Sequence, residues 1–202
     1  MSLLVKKARL FAANAHAAVR QCRKYTNEPY IMHPYRVASL VATVPHTEEM
    51  LAAAWLHDTV EDTFVTQEDI RAEFGEAVAS MVAWLTDVRP VMGNRAPRIE
   101  QNRLHLAGAP AEVKTIKLAD ILDNVSCIAQ YDAQFAFTYL QEKYAVLKVL
   151  TQGDPTLYAK ACQTVLLCAG QIGLSLKRLR KDSGWRMANP AGKYQQIGQT
   201  CP

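Results

Sequence analysis

Three carboxylates and an imidazole fall within six consecutive residues, His57-Asp58-Thr59-Val60-Glu61-Asp62. On a helix, Glu61 would stand one turn from His57 and Asp62 one turn from Asp58, giving two adjacent columns at one helix end. Carboxylates packed that closely repel one another, and a divalent cation is the simplest way to neutralise them. Taken alone, the His-Asp pair is weak evidence and reads more readily as a histidine satisfied by its neighbour in a structural network. Two further features turn the reading toward a metal. His33 lies upstream in Pro29-Tyr30-Ile31-Met32-His33-Pro34, and the chain between it and His57 has room for two helices and a loop. Downstream, Asp120 sits in an apolar helix beside Ile116, Leu118, Ile121 and Leu122, with Asn124 one turn on. A carboxylate in such surroundings needs a partner, because burying an unpaired charge is costly. Lys117 is one candidate and a cation shared with His33, His57 and Asp58 is another. A His₂Asp₂ set with open positions suits Mn²⁺ or Fe²⁺ better than a closed zinc site.

The elements that must position these residues read as helices throughout. An amphipathic helix spans about Leu3 to Arg23, and a second opens near Met32 with Pro34 in its first turn. Thr47 can cap a third that runs through Trp55 to about Asp58. Thr66 with Asp69 resembles a capping box for a helix ending at Gly75, with another following to about Asp87. Arg89 to Pro97 reads as a loop near the substrate. Helices are then expected over Arg98–Ala107, Ala111–Gln130, Phe135–Leu150 and Pro155–Leu179. With no convincing strand and no repeat, the expected architecture is all-α, a helical bundle. One domain, residues 1–181, is followed by a loose tail, 182–202.

Composition agrees with a globular domain and excludes several partners. Half of the 202 residues are apolar, enough for a core without staples. The net charge of +4 is accounted for by Lys177, Arg178, Arg180, Lys181 and Arg186 against Asp182, so the rest of the chain is near neutral. No nucleic-acid surface is implied. No apolar run approaches the roughly 20 residues of a membrane span, and the N-terminus reads as a helix, not a signal peptide. The five cysteines show no C-x-x-C spacing, so they are expected to be thiols without a role in a reducing cytoplasm. His16, His46 and His105 have no ligand-like company, and core packing is expected of Trp55 and Trp84.

The order Pro-Tyr-Ile-Met-His-Pro (29–34), Trp-Leu-His-Asp-Thr-Val-Glu-Asp (55–62) and Lys-Leu-Ala-Asp (117–120) followed by Asn124 resembles the HD hydrolase domain of the RelA/SpoT-homologue family. The short chain looks like its small alarmone hydrolase branch. The resemblance covers about Leu3 to Leu150. It implies an HD-domain bundle that removes the 3′-pyrophosphate of (p)ppGpp or (p)ppApp, with His33, His57, Asp58 and Asp120 as ligands of one Mn²⁺. Glu61 and Asp62 would position or deprotonate the attacking water. Arg23, Lys24, Asn124 and Tyr144 would contact the nucleotide, with weaker carry-over to Arg95 and Arg98. The chain departs from the family pattern in reading Arg-Lys-Tyr-Thr-Asn-Glu-Pro-Tyr (23–30), without the usual glycine, and in having Ile121 where a basic residue is common. Two other readings stand beside this one: a different HD nucleotide phosphohydrolase, such as a 2′-phosphatase acting on NADPH, and a non-catalytic nucleotide-binding HD module.

Overall fold

A computed structural model describes residues 2–88 and 95–181. These are helical, with an isolated β-bridge, Cys22 to Pro29, and the all-α expectation holds. The elements are α1 (Leu3–Ala18), α2 (Met32–Val41), α3 (Glu48–Leu56), α4 (Thr59–Asp62), α5 (Gln67–Leu85), α6 (Arg95–Ala107), α7 (Ala111–Tyr131), α8 (Ala133–Leu147), α9 (Pro155–Gln171) and α10 (Leu176–Lys181). No helix among the described residues is long and apolar enough to cross a membrane. The expected tail, 182–202, and most of the expected loop at Arg89–Pro97 lie outside the described residues.

The centre of the bundle is α7, which packs against α9, α8 and α2, while α1 lies on α3. Val113, Ile116, Leu118, Ala119, Ile121 and Val125 are fully buried, so α7 shows apolar residues nearly all round, as a central helix must. That is why Asp120 and Asp123 are buried as well. Gly153, between α8 and α9, lets the chain lie directly on α7. A Cβ there would stand 2.8 Å from Leu118 Cδ1 and 3.1 Å from the backbone of Lys114 and Thr115. Gly153→Ala is therefore expected to cost about 1–3 kcal/mol by overpacking, read as a lower urea midpoint with an unchanged slope.

Several boundaries differ from expectation for local reasons. The first helix ends at Ala18 rather than Arg23, because Arg20 takes a left-handed conformation (φ 51) and reverses the chain. Residues 21–23 then pair with 28–30, Arg23 N–H donating to Glu28 O at 2.9 Å and Tyr30 N–H to Gln21 O at 3.1 Å. The last long helix stops at Gln171, where Gly173 (φ 67) and the Leu174 N–H to Ala169 O bond of 2.8 Å make a Schellman-type end. Thr66 and Asp69 do form a capping box, and Gly75 (φ 81) kinks α5 where a helix end was expected. Cys162 is disulfide-bonded, contrary to the expectation of unpaired thiols, whereas Cys22 is a free thiol and the buried Cys168 thiol donates to the Val125 carbonyl at 3.5 Å.

Candidate metal centre and active site

The run from His57 to Asp62 is not one helix. α3 ends at Leu56, and Asp58 (φ −99, ψ −3) caps the short α4. The break has a chemical consequence. Neighbouring residues of a regular helix point in different directions, yet His57 Nε2 and Asp58 Oδ2 stand 3.0 Å apart. Interrupting the helix lets both side chains aim at one point, and the two-column arrangement expected for an unbroken helix is replaced by this convergence.

The first turn of α2 brings His33 to the same point, and the middle of α7 brings Asp120. His33 Nε2 lies 3.2 Å from His57 Nε2, 3.4 Å from Asp58 Oδ2 and 3.2 Å from Asp120 Oδ1. His57 Nε2 to Asp120 Oδ1 is 3.9 Å. The other nitrogen of each ring is already committed. His33 Nδ1 meets the Asp123 carboxylate at 2.6 Å, and His57 Nδ1 meets the Ala54 carbonyl at 2.9 Å. Both partners can only accept, so each Nδ1 carries a proton and each ring turns its Nε2 inward. With both rings neutral, as binding to a cation would require, two lone pairs and two carboxylate oxygens would face one another with no donor among them. Ligands at about 2.1 Å from a common ion, roughly 90–110° apart, are separated by about 3.0–3.4 Å. The donor types and the separations of 3.0–3.4 Å fit a divalent cation, His57 to Asp120 being wider at 3.9 Å, and His33, His57 and Asp58 group as a metal-holding cluster on geometry alone, with Asp120 outside that group.

Without a cation, the surrounding carboxylates draw a proton onto His33 instead, as a point that attracts positive charge must. Burial works to lower the pKa of His33, but Asp120, Asp123 and Asp58 outweigh it and raise it to about 9. Burial works against the charge on Asp58, and His57 and His33 nevertheless hold its carboxyl below the usual range. For Asp120, burial is outweighed by Lys117, whose Nζ is 2.8 Å from Oδ2, and by His33. Lys117 thus takes Oδ2 of Asp120, and Oδ1 is the oxygen that faces His33.

Several contributors were not singled out from sequence. The Tyr30 hydroxyl donates to Asp58 Oδ2 at 2.6 Å. Asp123, besides holding His33, accepts from Arg36 Nε at 2.5 Å, and Arg36 Nη2 reaches Glu28 at 2.6 Å. A carboxylate one turn along from Asp120 was the available signal, since metal-binding histidines regularly give their second nitrogen to one. Tyr30 adjoins the Ile-Met-His run, but nothing in its spacing points at Asp58.

Beside the four side chains lies a cleft of about 230 Å³ lined by Arg23, Lys24, Tyr25, Thr26, Asn124, Ile128, Phe135 and Tyr139. Arg23, Lys24 and Asn124 are thus brought together. Arg23 Nη1 donates to Asn124 Oδ1 at 2.9 Å, and Asn124 Nδ2 donates to Asp120 Oδ1 at 2.5 Å, which couples cleft to metal centre. Lys24 Nζ lies 5.3 Å from the centre of the Phe135 ring, on which Arg95 also rests at 5.2 Å. Arg95 is held by Glu142 through two bonds of 2.8 Å, and Arg98 is exposed. Tyr144 is not brought to this cleft. It packs against the core with Lys148 over its ring and is not part of the cleft lining. The tyrosine that lines the cleft is Tyr139, on the same face of α8 as Phe135. Tyr144 is five residues further on, roughly 140° around the helix.

Glu61 and Asp62, on α4 just after Asp58, are exposed. Glu61 accepts from the Asp87 N–H at 3.2 Å. Crowding by neighbouring atoms and then Asp87 and Asp58 push its pKa up to about 7, offset in part by that N–H and by Lys117. Because the folded value is raised, the associated stability is present below about pH 4.5 and lost as pH rises through about 7. Glu61→Gln is expected to remove that decline, seen in melting temperatures measured from pH 5 to pH 8. Asp62 Oδ2 accepts from Gln21 Nε2 at 2.8 Å.

Residues 8–151 match the HD domain family. The chain is 39% identical over 125 residues to the guanosine-3′,5′-bis(diphosphate) 3′-pyrophosphohydrolase of Aquifex aeolicus, covering 61% of this chain and 18% of that protein. To the Xenopus tropicalis 3′-pyrophosphohydrolase MESH1 it is 37% identical over 127 residues, covering 60% of this chain and 68% of that one. This chain therefore spans less than a fifth of the Aquifex relative and about two thirds of the Xenopus one. In three dimensions it resembles a metazoan SpoT ortholog that hydrolyzes ppGpp and plays a role in starvation responses, with a TM-score of 0.71 at 27% identity over 87% of this chain and 98% of that one. Sequence, fold and the convergence of His33, His57, Asp58 and Asp120 agree, and the chain belongs to the HD domain family.

Proposed function

We propose that this protein is a metal-dependent hydrolase that removes the 3′-pyrophosphate of a (p)ppGpp-like or (p)ppApp-like nucleotide, leaving the 5′-di- or triphosphate and pyrophosphate. The observation that carries the reading is the inward-facing His₂Asp₂ set beside a cleft lined by Arg23, Lys24 and Asn124. The activity named for the Aquifex and Xenopus relatives supports the substrate class. A small-molecule substrate and a cytoplasmic setting belong to the same reading.

A divalent cation held by His33, His57, Asp58 and Asp120, Mn²⁺ in this reading, supplies positive charge opposite the phosphate and lowers the pKa of nearby water. The chain's own residues do the rest. Arg23 and Lys24 attract the pyrophosphate, and Asn124, held between Arg23 and Asp120, offers its amide to the ribose edge. Phe135 and Tyr139 give the base an aromatic wall. Glu61, with a pKa of about 7, takes a proton from the attacking water with Asp62 beside it. The new bond joins the water oxygen to the phosphorus attached to the 3′-oxygen. The bond broken joins that phosphorus to the ribose, and the 3′-oxygen is protonated to a hydroxyl.

Turnover of ppGpp in ¹⁸O-water tests both the reaction and the bond cleaved. The label is expected in pyrophosphate with none in the GDP. Label in the nucleoside, or release of a single phosphate, would overturn the reading.

A further inference from the structure

Asp62 is tied to the end of α1 by a chain of hydrogen bonds whose direction can be read without ambiguity. Its carboxylate only accepts, so Gln21 must present its amide nitrogen to Oδ2, at 2.8 Å. That fixes the other end of the amide as an acceptor. It meets His16 Nδ1 at 2.6 Å, so Nδ1 carries the hydrogen and donates to Gln21 Oε1. His16 is buried, and its Nε2 has no hydrogen-bond partner among the described residues. A buried polar atom left unpaired costs about 1–3 kcal/mol, a cost that phenylalanine or leucine at position 16 would not carry. The His16 ring also backs Tyr30, ring centres 4.8 Å apart, whose hydroxyl donates to Asp58 Oδ2. The reversal at Arg20 makes this possible, because it returns Gln21 toward α4 instead of continuing α1.

We infer that Gln21 and His16 are positioning residues for Asp62. The imidazole orients the amide, the amide holds Oδ2, and Oδ1, which makes no hydrogen bond to protein among the described residues, is left to face the attacking water. The inference rests on the proposed hydrolase reading and on the role of Asp62 in it. It assigns function to a histidine that spacing alone leaves as structural. With the chain broken, Asp62 can turn Oδ1 away, and misplacing a reacting group by about 1 Å costs on the order of 100-fold in rate.

The test is steady-state ppGpp hydrolysis by the full chain with Mn²⁺, for wild type, Gln21→Leu, His16→Phe and His16→Asn, with thermal melts alongside. Gln21→Leu is expected to lower kcat by about 10–100-fold with KM changed by less than about threefold. His16→Phe is expected to lower kcat in the same manner. Asparagine places an N–H₂ where Nδ1–H stood, so His16→Asn should recover most of the rate lost in His16→Phe. A structural role alone would instead make the losses follow melting temperature, with both His16 variants alike, and that result would overturn the inference. Imidazole ¹⁵N NMR of wild type provides a check that needs no variant to fold: the Nδ1–H tautomer is expected at His16, and an Nε2–H tautomer would overturn the chain's direction. Wild type inert toward ppGpp would remove this inference together with the hydrolase reading. Active wild type with an unimpaired Gln21→Leu would remove this inference alone.

Discussion

Asp120→Ala is expected to abolish metal-dependent hydrolysis and, separately, to destabilise the fold by about 3 kcal/mol. The two losses come from the two oxygens. Oδ1 faces His33 Nε2 and completes the inward donor set. Oδ2 holds the Lys117 ammonium at 2.8 Å, on a lysine whose side chain is only 13% exposed. Removing one partner of a buried ion pair strands the other in low dielectric, which commonly costs about 3–5 kcal/mol. The lower end applies here because Lys117 keeps some solvent contact and because relief of the Asp58–Asp120 repulsion offsets part of the loss. Asp120→Asn separates the effects. Its amide oxygen can still accept from Lys117, so it should be less destabilised than Asp120→Ala, but its N–H₂ then meets the Asn124 N–H₂ in place of Oδ1, and the charge that binds the cation is gone. Urea unfolding of wild type and both variants, with EDTA present, reads the stability arm. An Asp120→Ala protein as stable as wild type would contradict the pairing described.

The second large effect is expected at a residue that touches neither cation nor nucleotide. Asp123→Ala should weaken Mn²⁺ binding by about 10–100-fold while leaving all four proposed ligands in place. Asp123 accepts from His33 Nδ1–H at 2.6 Å, which fixes the tautomer and points Nε2 inward. Without it the His33 ring is free to rotate and to place its proton on Nε2. Arg36 is not stranded, since it retains Glu28 at 2.6 Å, so the loss of stability should be smaller than in Asp120→Ala. Asp123→Asn is no rescue. If its oxygen accepts from His33, its N–H₂ group is turned toward the Arg36 Nε–H, donor against donor. Mn²⁺ titration followed by EPR gives the affinities, and an unchanged affinity in Asp123→Ala would contradict the orienting role.

What could be read from the residues beforehand follows from the range of the interactions involved. His33, His57, Asp58 and Asp120 announce themselves because imidazoles and carboxylates in apolar helices need a reason to be there, and three of the four are buried to 4% exposure or less. The helices were legible wherever apolar periodicity and caps act locally, as at Thr66–Asp69 and the proline that opens α9. The break between His57 and Asp58 was not, because nothing in Leu-His-Asp-Thr disfavours a helix, and only convergence on His33 and Asp120 rewards interrupting one. The reversal at Arg20 was hidden for a similar reason, since left-handed backbone at an arginine has no side-chain signature. Tyr144 and Tyr139 illustrate register. A tyrosine in the right helix was expected, and the face it occupies depends on how α8 lies on α7 and α9. Tyr30 and Gln21 act on Asp58 and Asp62 across long sequence separations, where spacing carries no information, and Asp123 offered only its place one turn along from Asp120.

The most direct test of the account is parallel incubation of the purified protein and its Asp58→Ala variant with Mn²⁺ and ppGpp, pppGpp, ppApp, pppApp or NADPH, with products resolved by anion exchange. The account predicts that wild type converts at least one 3′-pyrophosphorylated nucleotide to its 5′-di- or triphosphate and an equal amount of pyrophosphate, and that Asp58→Ala does not. Folded, Mn²⁺-loaded wild type that consumes only NADPH, or none of the five, would contradict it.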